Sequence, residues 1–155
     1  MQNYRKKGES PMKVLNEMKL QLKSYSVNEG YARVAVSAFV CQLDPTVEEI
    51  NDIKTAVSEA VTNCIVHAYK NGLGKIYITV RLYEESTVQI SVRDKGCGIE
   101  DVKQAMQPLF TSAGEDRAGL GFSVMESFCD AVKVRSRQGK GTTVTLVKRI
   151  RGKSF

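Results

Sequence analysis

No stretch of this 155-residue chain stays apolar for more than a few residues. A membrane span needs about 20 apolar residues, and a secretory signal needs about 7–15 behind a positive start, so the sequence offers neither and points to the cytosol. It also lacks any CxxC pair and has a single histidine, His67. Cys41, Cys64, Cys97 and Cys129 stand far apart, so the usual zinc-ligand spacings are missing and the thiols read as reduced and mostly buried. No internal repeat is visible. The length suits one domain around one core, and 42% hydrophobic with 26% charged residues is an ordinary globular balance.

A basic body is missing too, although the formal net charge is +6. Residues 1–13 carry four cations against Glu9, and residues 148–155 carry four with no acid, which leaves 14–147 at −1. Basic ends on a neutral body speak against a nucleic-acid surface. Lys133, Arg135, Arg137 and Lys140 form one local cluster, read as the solvent side of a hairpin.

The polar lead "MQNYRKKGESP" has no periodicity and is expected to be a disordered extension over 1–11, followed by one domain over 12–150 and a basic tail over 151–155. Weak alternation in "VLNEMKLQL" predicts a strand over 14–22. Apolar residues at helical spacing predict a helix from Asn28 to about Leu43. In "DPTVEE", Thr46 with Glu49 three residues on makes a capping box, so a second helix starts there and should run to Tyr69 or Lys70, stopping at Asn71-Gly72. Two hairpins follow, 75–83 with 87–94 and 131–137 with 142–148. Short helices are expected near 100–107 and 122–128. The sum is an α/β two-layer sandwich, a mostly antiparallel sheet with helices on one face.

Three segments have the composition of a site. In "VSEAVTNCIVHAY" (57–69), Glu59, Asn63 and His67 recur every four residues beside the apolar stripe, at the edge of the core. Glu59 suits proton transfer, and Asn63 has a neutral amide oxygen fit for Mg²⁺ among phosphates. His67 reads as structural, since about 12 Å of helix separates it from Glu59. "DKGCG" (94–98) offers the Asp94 carboxylate to an amino group such as that of adenine, with Gly96 and Gly98 admitting a ligand close to the backbone. "AGLGF" (118–122) places Gly119 and Gly121 before a helix, free to present N–H groups to an anion, and Arg117 is a candidate to neutralise a terminal phosphate. It is neither a Walker A loop nor a dinucleotide fingerprint.

Taken in order, a helix with Glu…Asn, then Asp-x-Gly-x-Gly, then Gly-x-Gly before a helix, then Gly141-Thr142 in a late hairpin, the chain resembles the Bergerat-fold (GHKL) ATPases, whose sheet is mixed but mostly antiparallel. Within them it is similar to the small serine-protein kinases that act as anti-sigma factors, through "NEGYARVAVSAFVCQLDPT", "IKTAVSEAVTNCIVHAY", "QPLFT" and "GLGFSVMESFCD". The resemblance implies a cytoplasmic homodimer that binds ATP or ADP with Mg²⁺, holds a sporulation sigma factor, and phosphorylates a serine of a small anti-anti-sigma protein. It implies Glu59 as general base, Asn63 as Mg²⁺ ligand, Asp94 on the adenine amine and Gly98 beside the base. Thr111 through Gly119, Leu120 and Gly121 become a lid over the phosphates. Thr142 or Thr143 supports the adenine end, and Arg33 contacts a partner. A general-stress anti-sigma kinase and a non-catalytic, ATP-switched binding module are the alternatives; the retained Glu59 argues against the second, since a switch needs no base. Neither DNA nor a membrane is expected as a partner.

Overall fold

The computed structural model describes residues 11–70, 72–107 and 121–152. Thr111, Arg117, Gly119 and Leu120 lie outside the described residues, as do the lead over 1–10 and the last three residues. Five strands are described: β1 (Val14–Lys23), β2 (Lys75–Tyr83), β3 (Thr87–Asp94), β4 (Ala131–Arg137) and β5 (Gly141–Arg149). They form one sheet in the order β1-β2-β3-β5-β4, and all four pairings are antiparallel. The helices are α1 (Val27–Val40), α2 (Val47–Asn63), α3 (Val102–Met106) and α4 (Phe122–Phe128).

Alternation decides which face of the sheet is covered. Ile76, Ile78, Val80 and Leu82 of β2 share a face with Val88, Ile90 and Val92 of β3 and Val144 and Leu146 of β5, and all are buried. Against them lie Ala32, Val36 and Val40 of α1, Ile53, Val57 and Val61 of α2, and Phe122 and Met125 of α4. On the edge strand β4, Lys133, Arg135 and Arg137 take the exposed positions between half-buried Val132, Val134 and Ser136, so the cluster of cations lies on the solvent side of a hairpin. Charges on an edge also discourage pairing with another chain.

The capping box at the start of α2 forms: Glu49 N–H donates to Thr46 Oγ1 at 3.1 Å, and Thr46 N–H donates to Glu49 Oε1 at 3.0 Å. Glu49 also accepts the backbone N–H groups of Arg151 at 2.7 Å and Gly152 at 3.0 Å, tying the end of the described chain to α2. Burial acts to raise the Glu49 pKa, but these backbone donors outweigh it and hold the carboxyl below its usual value of 4.5. A carboxyl lowered in the folded state stabilises the fold above its unfolded pKa, and that contribution is lost as pH falls through the folded value. Glu49→Gln is therefore expected to lower the urea midpoint at pH 7 by the equivalent of about 1–2 kcal/mol, with the gap to the parent closing in acid below about pH 4. Urea titrations at both pH values check it.

The end of α2 departs from the sequence expectation. The helix is regular only to Asn63, and Cys64–Ala68 form a wider π turn instead of continuing the α-helix to Tyr69. The opened turn serves the loop after β3: Ala68 carbonyl accepts Cys97 N–H at 3.0 Å and the His67 carbonyl accepts the Cys97 thiol at 3.3 Å. Carbonyls that a regular helix would leave to its own next turn here dock a neighbouring loop, a common use of π turns near sites. Glu59 and Asn63 keep α-helical register, while His67 lies within the π turn.

Candidate functional site

Of the residues expected to bind a ligand, Asn63, Asp94, Gly98 and Thr142 converge where α2, the loop after β3 and the start of β5 meet. A small cavity lies there, lined by Asn63, Cys64 and His67 of α2 and its π turn, Asp94 and Gly98 of the loop, Phe122 of α4, and Thr142 of β5. The walls are mostly apolar, completed by Ala60, Val92, Ile99 and Val144, with a few polar groups between them.

Asp94 ends the buried face of β3, with the same parity as Val88, Ile90 and Val92, and is 5% exposed. Its Oδ1 accepts Gly96 N–H at 2.9 Å and Thr142 N–H at 3.2 Å, and its Oδ2 accepts the Cys64 thiol at 3.6 Å. Burial raises the carboxyl above its usual value, and these three bonds pull it part of the way back. A buried acceptor fixed in this way, at the wall of an apolar cavity, can read an amino group on a flat apolar ligand.

The loop is held from both sides. Tyr69, just past the π turn, accepts Lys95 N–H at 2.7 Å and donates its hydroxyl to the Lys75 carbonyl at 2.7 Å. Burial pushes the phenol up, so it stays a donor. Sequence reasoning passed over Tyr69; nothing in its pattern set it apart from a helix-ending aromatic. Gly98 has φ +76, and a Cβ there would run into the Arg137 carbonyl of the β4–β5 turn. Both facts require glycine at 98. At Gly96 the missing Cβ makes room for the Ala68 carbonyl, so this glycine admits the end of α2 against the loop.

Thr142 and Thr143 part company. Thr142 faces the helices, and its Oγ1 lies 2.7 Å from Ser136 Oγ; Thr143, one residue on, pairs with Arg93 and Arg135 and points to the opposite face. The structure brings Thr142 to the cavity and does not bring Thr143.

Glu59 stands one turn before Asn63 and does not line the cavity. It belongs to an adjoining open cleft with Arg33 of α1 and Asn51, Lys54, Thr55 and Ser58 of α2. Gly121, at φ +66, packs its backbone directly over the Glu59 carboxylate, where a Cβ would collide with Oε2. Gly121, the last residue of the Gly-x-Gly, thus rests against Glu59. Arg33 is part-buried and pairs with Glu29 at 3.4 Å. Among the described residues, no group of three or more His, Cys, Asp or Glu side chains is placed to hold a metal, so a divalent ion here would draw most of its ligands from phosphates and water.

The histidine kinase-like ATPase domain family matches residues 26–148. An anti-sigma F factor of Caldanaerobacter subterraneus subsp. tengcongensis is 55% identical over 141 residues, 90% of this chain and 97% of that protein. The chain belongs to the anti-sigma F factor family. Members from Anoxybacillus flavithermus and Bacillus licheniformis are 53% and 50% identical, each over 87% of this chain and 93% of theirs. An ATPase domain of this family implies binding of ATP or ADP. The solved RsbU and RsbW domains of a Mycobacterium tuberculosis protein superpose with a TM-score of 0.62 at 19% identity, over 87% of this chain and 32% of that one. The histidine kinase domain of an Erythrobacter litoralis blue-light activated kinase does so at 0.55 and 17%, over 79% of this chain and 61% of that one. At such identities both show the shared fold alone. Among the described residues, no helix is long and apolar enough to cross a membrane.

Proposed function

We propose that this chain is a cytoplasmic, dimeric anti-sigma factor that is also an ATP-dependent serine kinase. It holds a sporulation sigma factor through a surface that includes Arg33, and it phosphorylates a serine of a small anti-anti-sigma antagonist. The observation that carries the reading is the division of labour along α2. Asn63 faces the cavity that Asp94 walls, and Glu59, one turn earlier, faces the open cleft, so a nucleotide and a protein hydroxyl can reach the same turn of helix from two sides.

Asp94 Oδ2 accepts the adenine amine, Thr142 N–H steadies the same carboxylate through Oδ1, and the flat base lies against Val92, Ile99 and Phe122. The phosphates then run along α2 toward Glu59, and Thr111, Arg117, Gly119 and Leu120 take the phosphate-binding role that the family resemblance implies for them. Asn63 offers an uncharged oxygen at the cavity rim, the hard donor that Mg²⁺ takes, and so would be its protein ligand. When bound, such an ion would offset the charge of the phosphates. Glu59 takes the proton of the serine hydroxyl as its oxygen bonds to the γ-phosphorus. The bond from that phosphorus to the β–γ bridging oxygen breaks, and ADP leaves.

Capture from a sporulating lysate on immobilised protein, in Mg-ATP and in Mg-ADP, tests both halves at once. A sigma factor retained with one nucleotide, and a small protein that gains phosphoserine when Mg-ATP is added, are the expected results. Identical captures with both nucleotides and no phosphoserine would remove the kinase and leave a binding module.

A further inference from the structure

Cys64 occupies a position that the reaction above does not use. It opens the π turn, is 2% exposed, and lines the cavity beside Asp94. Its Sγ lies 3.6 Å from Asp94 Oδ2 and 3.5 Å from the Ala60 carbonyl oxygen. A thiol has one proton and can serve one of these acceptors at a time. The two oxygens of Asp94 are held unequally: backbone N–H groups from two different segments fix Oδ1, whereas Oδ2, on the side left for a ligand, has the sulfur.

From this geometry we infer that Cys64 is a positioning residue for purine recognition. Its thiol donates to Asp94 Oδ2 while the cavity is empty and turns its proton to the Ala60 carbonyl when a ligand amine takes that oxygen. The inference rests on the assignment of Asp94 to the adenine amine. A buried carboxylate oxygen with no donor carries a desolvation penalty, so an empty cavity needs a substitute for the amine. The substitute must also give way. An S–H is a weak donor, so an incoming N–H displaces it at little cost, and the Ala60 carbonyl receives the freed proton without any movement of the backbone. Burial and the neighbouring carboxylate both push the thiol up, which keeps it protonated and able to donate.

Affinities for ATP and for purine riboside 5′-triphosphate, which lacks the 6-amino group, separate this role from mere packing. In the parent protein the thiol covers Oδ2 when the amine is missing, so the amine-free ligand should bind only a few-fold more weakly. Cys64→Ala leaves that oxygen bare under the amine-free ligand alone, and the ratio of the two dissociation constants should grow by about fivefold to tenfold. Cys64→Ser, with a stronger donor, should keep the ratio at or below the parent value. If Cys64→Ala weakens both ligands equally, the sulfur only fills space and the inference is overturned. A ratio of one in the parent means that Asp94 does not hold the amine, and then the assignment beneath the inference fails first.

Discussion

Glu59→Gln should lower phosphoryl transfer to the antagonist by about 10²–10⁴-fold, the usual range for losing a general base, while ATP affinity changes less than about twofold. The two effects separate because the structure separates the groups. Glu59 lines the cleft it shares with Arg33 and Lys54, and the cavity that Asp94 walls is lined without it. Glutamine keeps the shape that the Gly121 backbone packs against, so the junction between α2 and α4 should survive the change. Single-turnover transfer of labelled phosphate, beside a nucleotide titration of the same preparation, reads both quantities. Unchanged transfer would take the base away from Glu59. A parallel loss of ATP affinity would mean that the substitution disturbed the fold at Gly121, not the chemistry.

How far the site could be read in the sequence depended on whether a short-range rule governed the residue. The capping box of Thr46 and Glu49 is local, and its two reciprocal bonds are found as the pattern implies. Parity is local too. Asp94 continues the Val88, Ile90, Val92 alternation onto the covered face, and the same count through Val144 and Leu146 selects Thr142 over Thr143. The Gly-Thr pattern alone leaves both threonines as candidates. What could not be read depended on distant partners. The π turn at Cys64–Ala68 exists where the helix end meets Cys97, some thirty residues on, and nothing in "CIVHAY" announces it. Glu49 has a second set of donors about a hundred residues away at Arg151 and Gly152. In the sequence Gly98 reads as room for a ligand, yet its positive φ and the Arg137 carbonyl behind it already demand glycine for the fold.

Asp94→Asn should weaken ATP binding by about tenfold to a hundredfold, the equivalent of about 1.5–3 kcal/mol for a hydrogen bond to a charged group, and yet leave the fold at least as stable at pH 7. Burial raises the Asp94 carboxyl in the folded state. Such a group costs stability above its unfolded pKa, because the folded protein must then hold a charge that the unfolded chain holds more easily; the cost disappears as pH falls below that value. Asparagine has no charge to bury, so the thermal midpoint at pH 7 should match or exceed the parent's, and the advantage should fade in acid. The loss of ATP has a separate origin. Gly96 and Thr142 N–H groups both require an acceptor at the first oxygen, which fixes the new carbonyl there and turns the new amide nitrogen toward the ligand. Two donors, the side-chain amide and the adenine amine, then face each other. A 6-oxo purine presents an acceptor at the same place, so inosine triphosphate should gain on ATP in the variant. If the variant binds ATP as the parent does, or if it loses ATP and inosine triphosphate together, the carboxylate is not what selects the amine.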